Sequence, residues 1–289
     1  MAILIAIVPA VALLSHVHSP ILPSGRKFSE ATWYSVDIVK LSQYYLSDFD
    51  GFLSFVSSAS NPSQILHRVA PLLACTKGPQ VALKVLVAYV VADVSNLALK
   101  WPLQGDRPFW MDASVRQFGG NTCEVGFGMP SGHVQVTVAA YAIVADAFNS
   151  RTANCLVVVA VMLTALSRVH MGAHTPLQVS CGCIVGLATA LAVRTSDRAI
   201  MQWGSHRMSN HARFTYAAAV VLLIIGGIAA ENGILLSQNV GIYASIPNAV
   251  EACRGKHTYI HIYMCARVCI YIYICNMCMC LSIYMYMYM

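Results

Sequence analysis

Six apolar stretches dominate this chain and leave few folds open to it. They cover residues 49–75, 79–99, 133–148, 153–168, 176–193 and 216–236. A helix needs about 20 apolar residues to cross a bilayer, and inside lipid each segment must satisfy its own backbone N–H and C=O groups. Runs of this kind therefore read as membrane-spanning helices. The charge content agrees. Only 10% of the residues are Asp, Glu, Lys or Arg, against about a quarter in soluble domains. The expected fold is all-α, a polytopic transmembrane helical bundle. The first stretch is the least regular, because Asn61-Pro62 and Arg68 interrupt it.

The flanks differ from this middle. Residues 1–14 are apolar, with a length that suits a signal-peptide core better than a span, or an aberrant start. Residues 20–47 are mixed and polar. From Glu251 the chain turns into a low-complexity run of Tyr, Ile, Met and Cys. That run reads as a translated simple repeat, with a genuine last span over 268–289 as the alternative. The expected organisation is an apolar and polar lead at 1–33, a membrane domain at 34–240, and an aberrant tail at 241–289.

The net charge of +6 is scattered, and no basic stripe is interleaved with aromatics, so nucleic acid is not an expected partner. Of 11 cysteines, six lie from Cys253 onward. The other five show no paired metal spacing, and Cys181-x-Cys183 reads as helix-packing residues. No metal and no cofactor are expected.

The informative residues sit at the edges of the apolar runs. Lys100, Arg107-Pro108, Pro130-Ser131-Gly132-His133, Ser167-Arg168 and His174 all fall at run ends. An even number of crossings separates them, so a helical bundle delivers all of them to one membrane face. The opposite joints hold Lys77, Arg151, Arg194, Arg198, Arg207 and Arg213, which makes that face cytoplasmic by the positive-inside tendency. The site then faces the lumen or the exterior.

A phosphate ester carries about two negative charges near neutral pH. In the transition state that charge spreads over three equatorial oxygens. Lys100 offers a compact ammonium, and Arg107 and Arg168 offer planar forks. Ser131 and Gly132 add a hydroxyl and backbone N–H groups at the start of a helix, where the helix dipole favours an anion. Two histidines divide the remaining work, with His174 expected to attack phosphorus and His133 to protonate the leaving alkoxide. Each residue has an ordinary structural explanation taken singly. Their shared order, spacing and sidedness favour a phosphate site. Asp93 and Asn96 read as interhelical contacts, and His170 as a residue near the site without a role.

The chain resembles the type 2 phosphatidic-acid-phosphatase and haloperoxidase superfamily, whose pattern is Lys-x6-Arg-Pro, Pro-Ser-Gly-His and Ser-Arg-x5-His-x3-Asp. Here the last position is Gln178. In that superfamily the Asp orients the nucleophilic imidazole, so Gln178 is the expected orienting residue without the charge. Gln at this place, with LALKWPLQGDRPFW, NTCEVGFGMPSGH and SRVHMGAHTPLQV, is similar to the glucose-6-phosphatase catalytic-subunit branch. The resemblance runs over about 34–234. It implies an endoplasmic-reticulum membrane enzyme, embedded in the bilayer with a lumenal site. It also implies hydrolysis of glucose 6-phosphate through a phosphohistidine and a glucose-6-phosphate transporter as partner. That branch has nine spans, so the resemblance also implies a C-terminally truncated chain. Two alternatives are a lipid phosphatase of the same superfamily and a truncated, inactive isoform acting by association.

Overall fold

The structure, a computed structural model, describes residues 30–204 except 104 and 119–125. The lead before residue 30, the expected stretch at 216–236 and the tail lie outside the described residues. The described residues hold helices and no strand. They form α1 (Glu30–Tyr45), α2 (Asp50–Ala59), α3 (Ala70–Lys77), α4 (Pro79–Leu103), α5 (Pro108–Met111), α6 (Gly132–Phe148), α7 (Arg151–His170), α8 (Pro176–Thr195) and α9 (Asp197–Gly204). A 3-10 turn, Ser47–Phe49, joins α1 to α2.

Among the described helices, Pro79–Lys100, Arg151–His170 and Pro176–Thr195 are long and apolar enough to cross a membrane. The 17 residues of α6 are apolar but shorter. At 1.5 Å per residue that helix is about 26 Å long, close to the hydrocarbon thickness of about 30 Å.

Two expectations need correction. The stretch at 49–75 is not one span. It breaks after α2, and a turn at Pro62–Gln64 and a π-helical turn at Ile65–Val69 precede α3. Pro62 lacks an N–H and disfavours helical geometry in the residue before it, and the 10 residues of α2 are too few to span. The segment between the second and third apolar runs, residues 100–132, reads from its Gly, Pro and charged residues as a loop, but α4 runs on to Leu103 and α5 adds a helical turn. The polar segment before residue 47 is helical from Glu30 as α1.

The core lies between α4, α6 and α8. Val85, Leu86, Ala88 and Ala92 of α4 pack on Val136, Ala139, Ala140 and Ile143 of α6. A second cluster gathers Val36 and Val39 of α1, Phe109 and Trp110 of α5, Val134 and Val138 of α6, and Val179 of α8. Cys181 packs with Leu99, Leu103 and Val185, as its apolar setting suggests. Helix α7 turns Leu156, Val158, Val159 and Met162 outward, the face expected of a helix against lipid.

Ion pairs tie the end of the bundle away from the candidate site. Arg194 grips Asp146 through Nε and NH2 at 2.5 and 2.6 Å. Lys84 pairs with Asp197 of α9 at 2.5 Å. At the other end Lys40 of α1 pairs with Asp112 just after α5. Hydrogen bonds from Lys40 and then Ser114 pull the Asp112 carboxyl down to about 2. A lowered carboxyl favours the folded form above its ordinary titration range, so this tie loosens only as the pH falls toward about 2.

Candidate active site

The C-terminal ends of α4 and α7 and the N-terminal ends of α6 and α8 meet at one end of the bundle. Backbone hydrogen bonds fix the meeting. Ser131 N–H donates to Gln178 O at 3.1 Å, and Gly128 N–H donates to Gly105 O at 2.7 Å. Asn96 of α4, 2% exposed, donates to Pro130 O at 3.0 Å and to Gln135 Oε1 at 2.9 Å. Gln135 answers by donating to Ala92 O and Ser95 Oγ at 2.8 Å each. This buried amide pair holds the Pro130-Ser131-Gly132-His133 step against α4. Lys100 stands one turn beyond Asn96, on the same side of α4.

Arg107 is fully buried at the N-terminus of α5. Its Nε donates to Gly126 O at 2.7 Å, NH1 to Ala173 O at 3.1 Å and NH2 to Phe127 O at 3.4 Å. The guanidinium therefore staples the loop that leads to Ser131 onto the loop that carries His174. Arg168, 1% exposed, donates from NH1 to Ser57 Oγ of α2 at 2.9 Å.

His174, 1% exposed, turns Nδ1 toward two acceptors. Gly128 O lies at 2.9 Å and Gln178 Oε1 at 3.3 Å. Both are oxygens that accept, so the proton of the neutral ring sits on Nδ1 and the lone pair on Nε2. The expected orienting residue, Gln178, is present but is the longer of the two contacts. The shorter contact is a backbone carbonyl that a reading of side chains cannot find. The Gln178 amide also donates to Asp106 O at 2.6 Å and accepts from Thr175 N–H at 3.1 Å, closing a capping box on α8. A Cβ at Gly128 would stand 2.6 Å from Gln178 Oε1, so only glycine lets this carbonyl come so near.

Ser131 begins α6. A serine in that position commonly caps the first turn, but here its side chain makes no capping bond. Its Oγ is buried and has no hydrogen-bond partner among the described residues. The first N–H groups of α6, from Gly132 and His133 onward, have no intrahelical acceptor. His133 is half-buried in that first turn.

His170 does not bond to this set. Its Nδ1 faces Ser42 O at 3.1 Å and its Nε2 faces Asp50 Oδ1 at 2.7 Å. Gly172, with φ of +68°, then turns the chain from α7 toward His174. A Cβ there would come within 2.7 Å of Val115 Cγ1, so the turn needs glycine on both counts.

The PAP2 superfamily profile matches residues 81–202, which take in every residue of this end except those of α1 and α2. The chain is 34% identical to glucose-6-phosphatase catalytic subunit 1 of Canis lupus familiaris over 39% of each chain. It is 35% identical to glucose-6-phosphatase 3 of Homo sapiens over 37% of each. With glucose-6-phosphatase 2 of Homo sapiens it shares 27% identity over 73% of this chain and 64% of that relative. The chain thus spans about two fifths of the length of most of these relatives. No solved structure matches.

Proposed function

From a chain whose residues 81–202 form a PAP2 superfamily domain and which has glucose-6-phosphatases as homologues over part of its length, we propose a membrane phosphatase that releases phosphate from glucose 6-phosphate. The observation that carries the reading is the His174 ring, whose Nδ1 faces two acceptors, Gly128 O and Gln178 Oε1; a neutral ring so held keeps its proton on Nδ1 and its lone pair on Nε2. Nε2 attacks phosphorus, the N–P bond forms and the P–O bond to the sugar breaks. His133, starting as imidazolium, gives its proton to the leaving alkoxide. Neutral His133 then takes a proton from water, the water oxygen bonds to phosphorus, and the N–P bond breaks to release phosphate.

Lys100, Arg107 and Arg168 offset the phosphoryl charge. The Ser131 hydroxyl, which has no hydrogen-bond partner among the described residues, and the N–H groups at Gly132 and His133 receive its oxygens. The reading calls on no metal. The basic joints at Lys77, Arg151 and Arg194 set the opposite face toward the cytoplasm. The site then faces the lumen of the endoplasmic reticulum, where a glucose-6-phosphate transporter would supply it.

Membranes holding the full chain should release phosphate from glucose 6-phosphate and trap labelled phosphate on histidine. Release from phosphatidate alone would replace the sugar reading with the lipid one. Neither release nor a phosphoenzyme would leave the inactive isoform.

Gln178→Glu tests the orienting amide. A carboxylate would strengthen the pull on Nδ1 but cannot donate to Asp106 O, which stands 2.6 Å from Nε2. Two oxygens at that distance repel in a buried place. The loss should win, with kcat/KM for glucose 6-phosphate falling about tenfold or more, the equivalent of ~1.4 kcal/mol. An unchanged or raised kcat/KM would show that charge at this place outweighs the lost donor.

A further inference from the structure

The arginine fork expected to grip the phosphoryl group is held by a helix outside the stretch matched to the superfamily. Arg168 NH1 donates to the hydroxyl of Ser57, a residue of α2 that is 5% exposed. Two turns earlier on the same face of α2, Asp50 Oδ1 lies 2.7 Å from His170 Nε2. His170 is fully buried, and its other nitrogen faces Ser42 O at 3.1 Å. Its backbone oxygen accepts from Gln43 Nε2 at 2.9 Å. Asp50 is itself fixed by Arg116 NH1 at 3.2 Å. The end of α7, from Arg168 to His170, is therefore clasped by α2 and the end of α1 at two side chains and one carbonyl.

Resting on the phosphatase reading above, we propose that Ser57 and Asp50 are positioning residues for phosphate binding, Ser57 by aiming the Arg168 guanidinium and Asp50 by locking His170 and the turn that leads to His174. An arginine has many rotamers to lose, and its planar fork binds well only when already aligned. A hydroxyl on NH1 aligns it before the phosphoryl group arrives. The Asp50–His170 contact stops α7 from rotating Arg168 out of that alignment. A carboxylate acceptor makes that contact charge-assisted.

The test compares the full chain in membranes as wild type, Ser57→Ala, Ser57→Thr and Asp50→Asn. The readouts are KM for glucose 6-phosphate, Ki for inorganic phosphate and kcat. Losing one hydrogen bond to a charged group should raise KM and Ki about tenfold in Ser57→Ala, with a smaller change in kcat. Ser57→Thr keeps the hydroxyl and should return both values to near wild type. Asp50→Asn should raise the same two constants. A purely structural role reduces the amount of folded enzyme, which lowers the maximal rate and leaves KM and Ki where they were. Unchanged KM and Ki in Ser57→Ala and Asp50→Asn, beside an active wild type, would overturn the proposal alone. A wild type that neither hydrolyses the ester nor binds phosphate would overturn the phosphatase reading and this proposal with it.

Discussion

His174→Ala should abolish the trapped phosphoenzyme and lower kcat for glucose 6-phosphate by about 10⁴-fold or more, the scale seen when a covalent nucleophile is removed. The expectation follows from geometry as much as residue type. Alanine leaves Gly128 O and Gln178 Oε1 facing a gap where Nδ1–H stood, and no other described imidazole can take its place. His170 is spent on Ser42 and Asp50, and the proposed mechanism assigns His133 to the leaving group. His133→Ala should behave differently. An ester with a poor leaving group, such as glucose 6-phosphate, needs the donated proton. p-Nitrophenyl phosphate needs it far less, so its phosphoenzyme should still form. Measured together, the two variants separate attack from protonation. A phosphoenzyme that survives in His174→Ala would end the assignment of the nucleophile. Loss of the phosphoenzyme from both esters in His133→Ala would reverse the two roles.

Much of this site is legible in the sequence because its parts are long-lived signals. Apolar runs mark α4, α7 and α8 through their length, and the order of crossings brings Lys100, Ser131, Arg168 and His174 to one end without coordinates. The apolar reading of 49–75 failed because hydropathy averages over Pro62, whereas the backbone cannot. The helix at Glu30–Tyr45 was invisible to hydropathy because it is polar, and it packs on the bundle through Val36 and Val39 rather than crossing it. The orienting carbonyl of Gly128 has no side chain to read. Its only trace is that a glycine must stand there. Ser57 and Asp50 were missed for a different reason. They lie 111 and 120 residues from their partners Arg168 and His170, and no spacing rule links positions that far apart. The Arg107 staple is a mixed case. The sequence marked the residue, but its bonds to Gly126, Phe127 and Ala173 show a guanidinium that first joins two loops.

Gly186→Leu should be the most damaging substitution to the fold itself. Helix α8 carries Gly182 and Gly186 four residues apart, a small-xxx-small pattern that brings helix backbones close in a bilayer. The spacing is legible in the sequence, between and beyond Cys181 and Cys183. A Cβ at Gly186 would stand 2.6 Å from Gln135 O and 2.8 Å from Val138 Cβ. At Gly182 it would stand 2.7 Å from Ser131 O. These neighbours belong to α6 and the residue that opens it, and mostly to its backbone, so no rotamer change relieves the clash and the two helices must part. Overpacking of a core costs about 3 kcal/mol, which for a domain of this size corresponds to a fall of about 10 °C in Tm. Parting α6 from α8 also pulls Ser131 N–H away from Gln178 O, so phosphate release should fall along with stability. Gly51→Ala is the control. Nothing lies within 4 Å of a Cβ there, and alanine in a helix gains roughly 0.5–1 kcal/mol over glycine. Thermal unfolding of the detergent-solubilised chain reads both. If Gly186→Leu unfolds at the wild-type temperature, the close approach of α6 and α8 is not what holds this end of the bundle together.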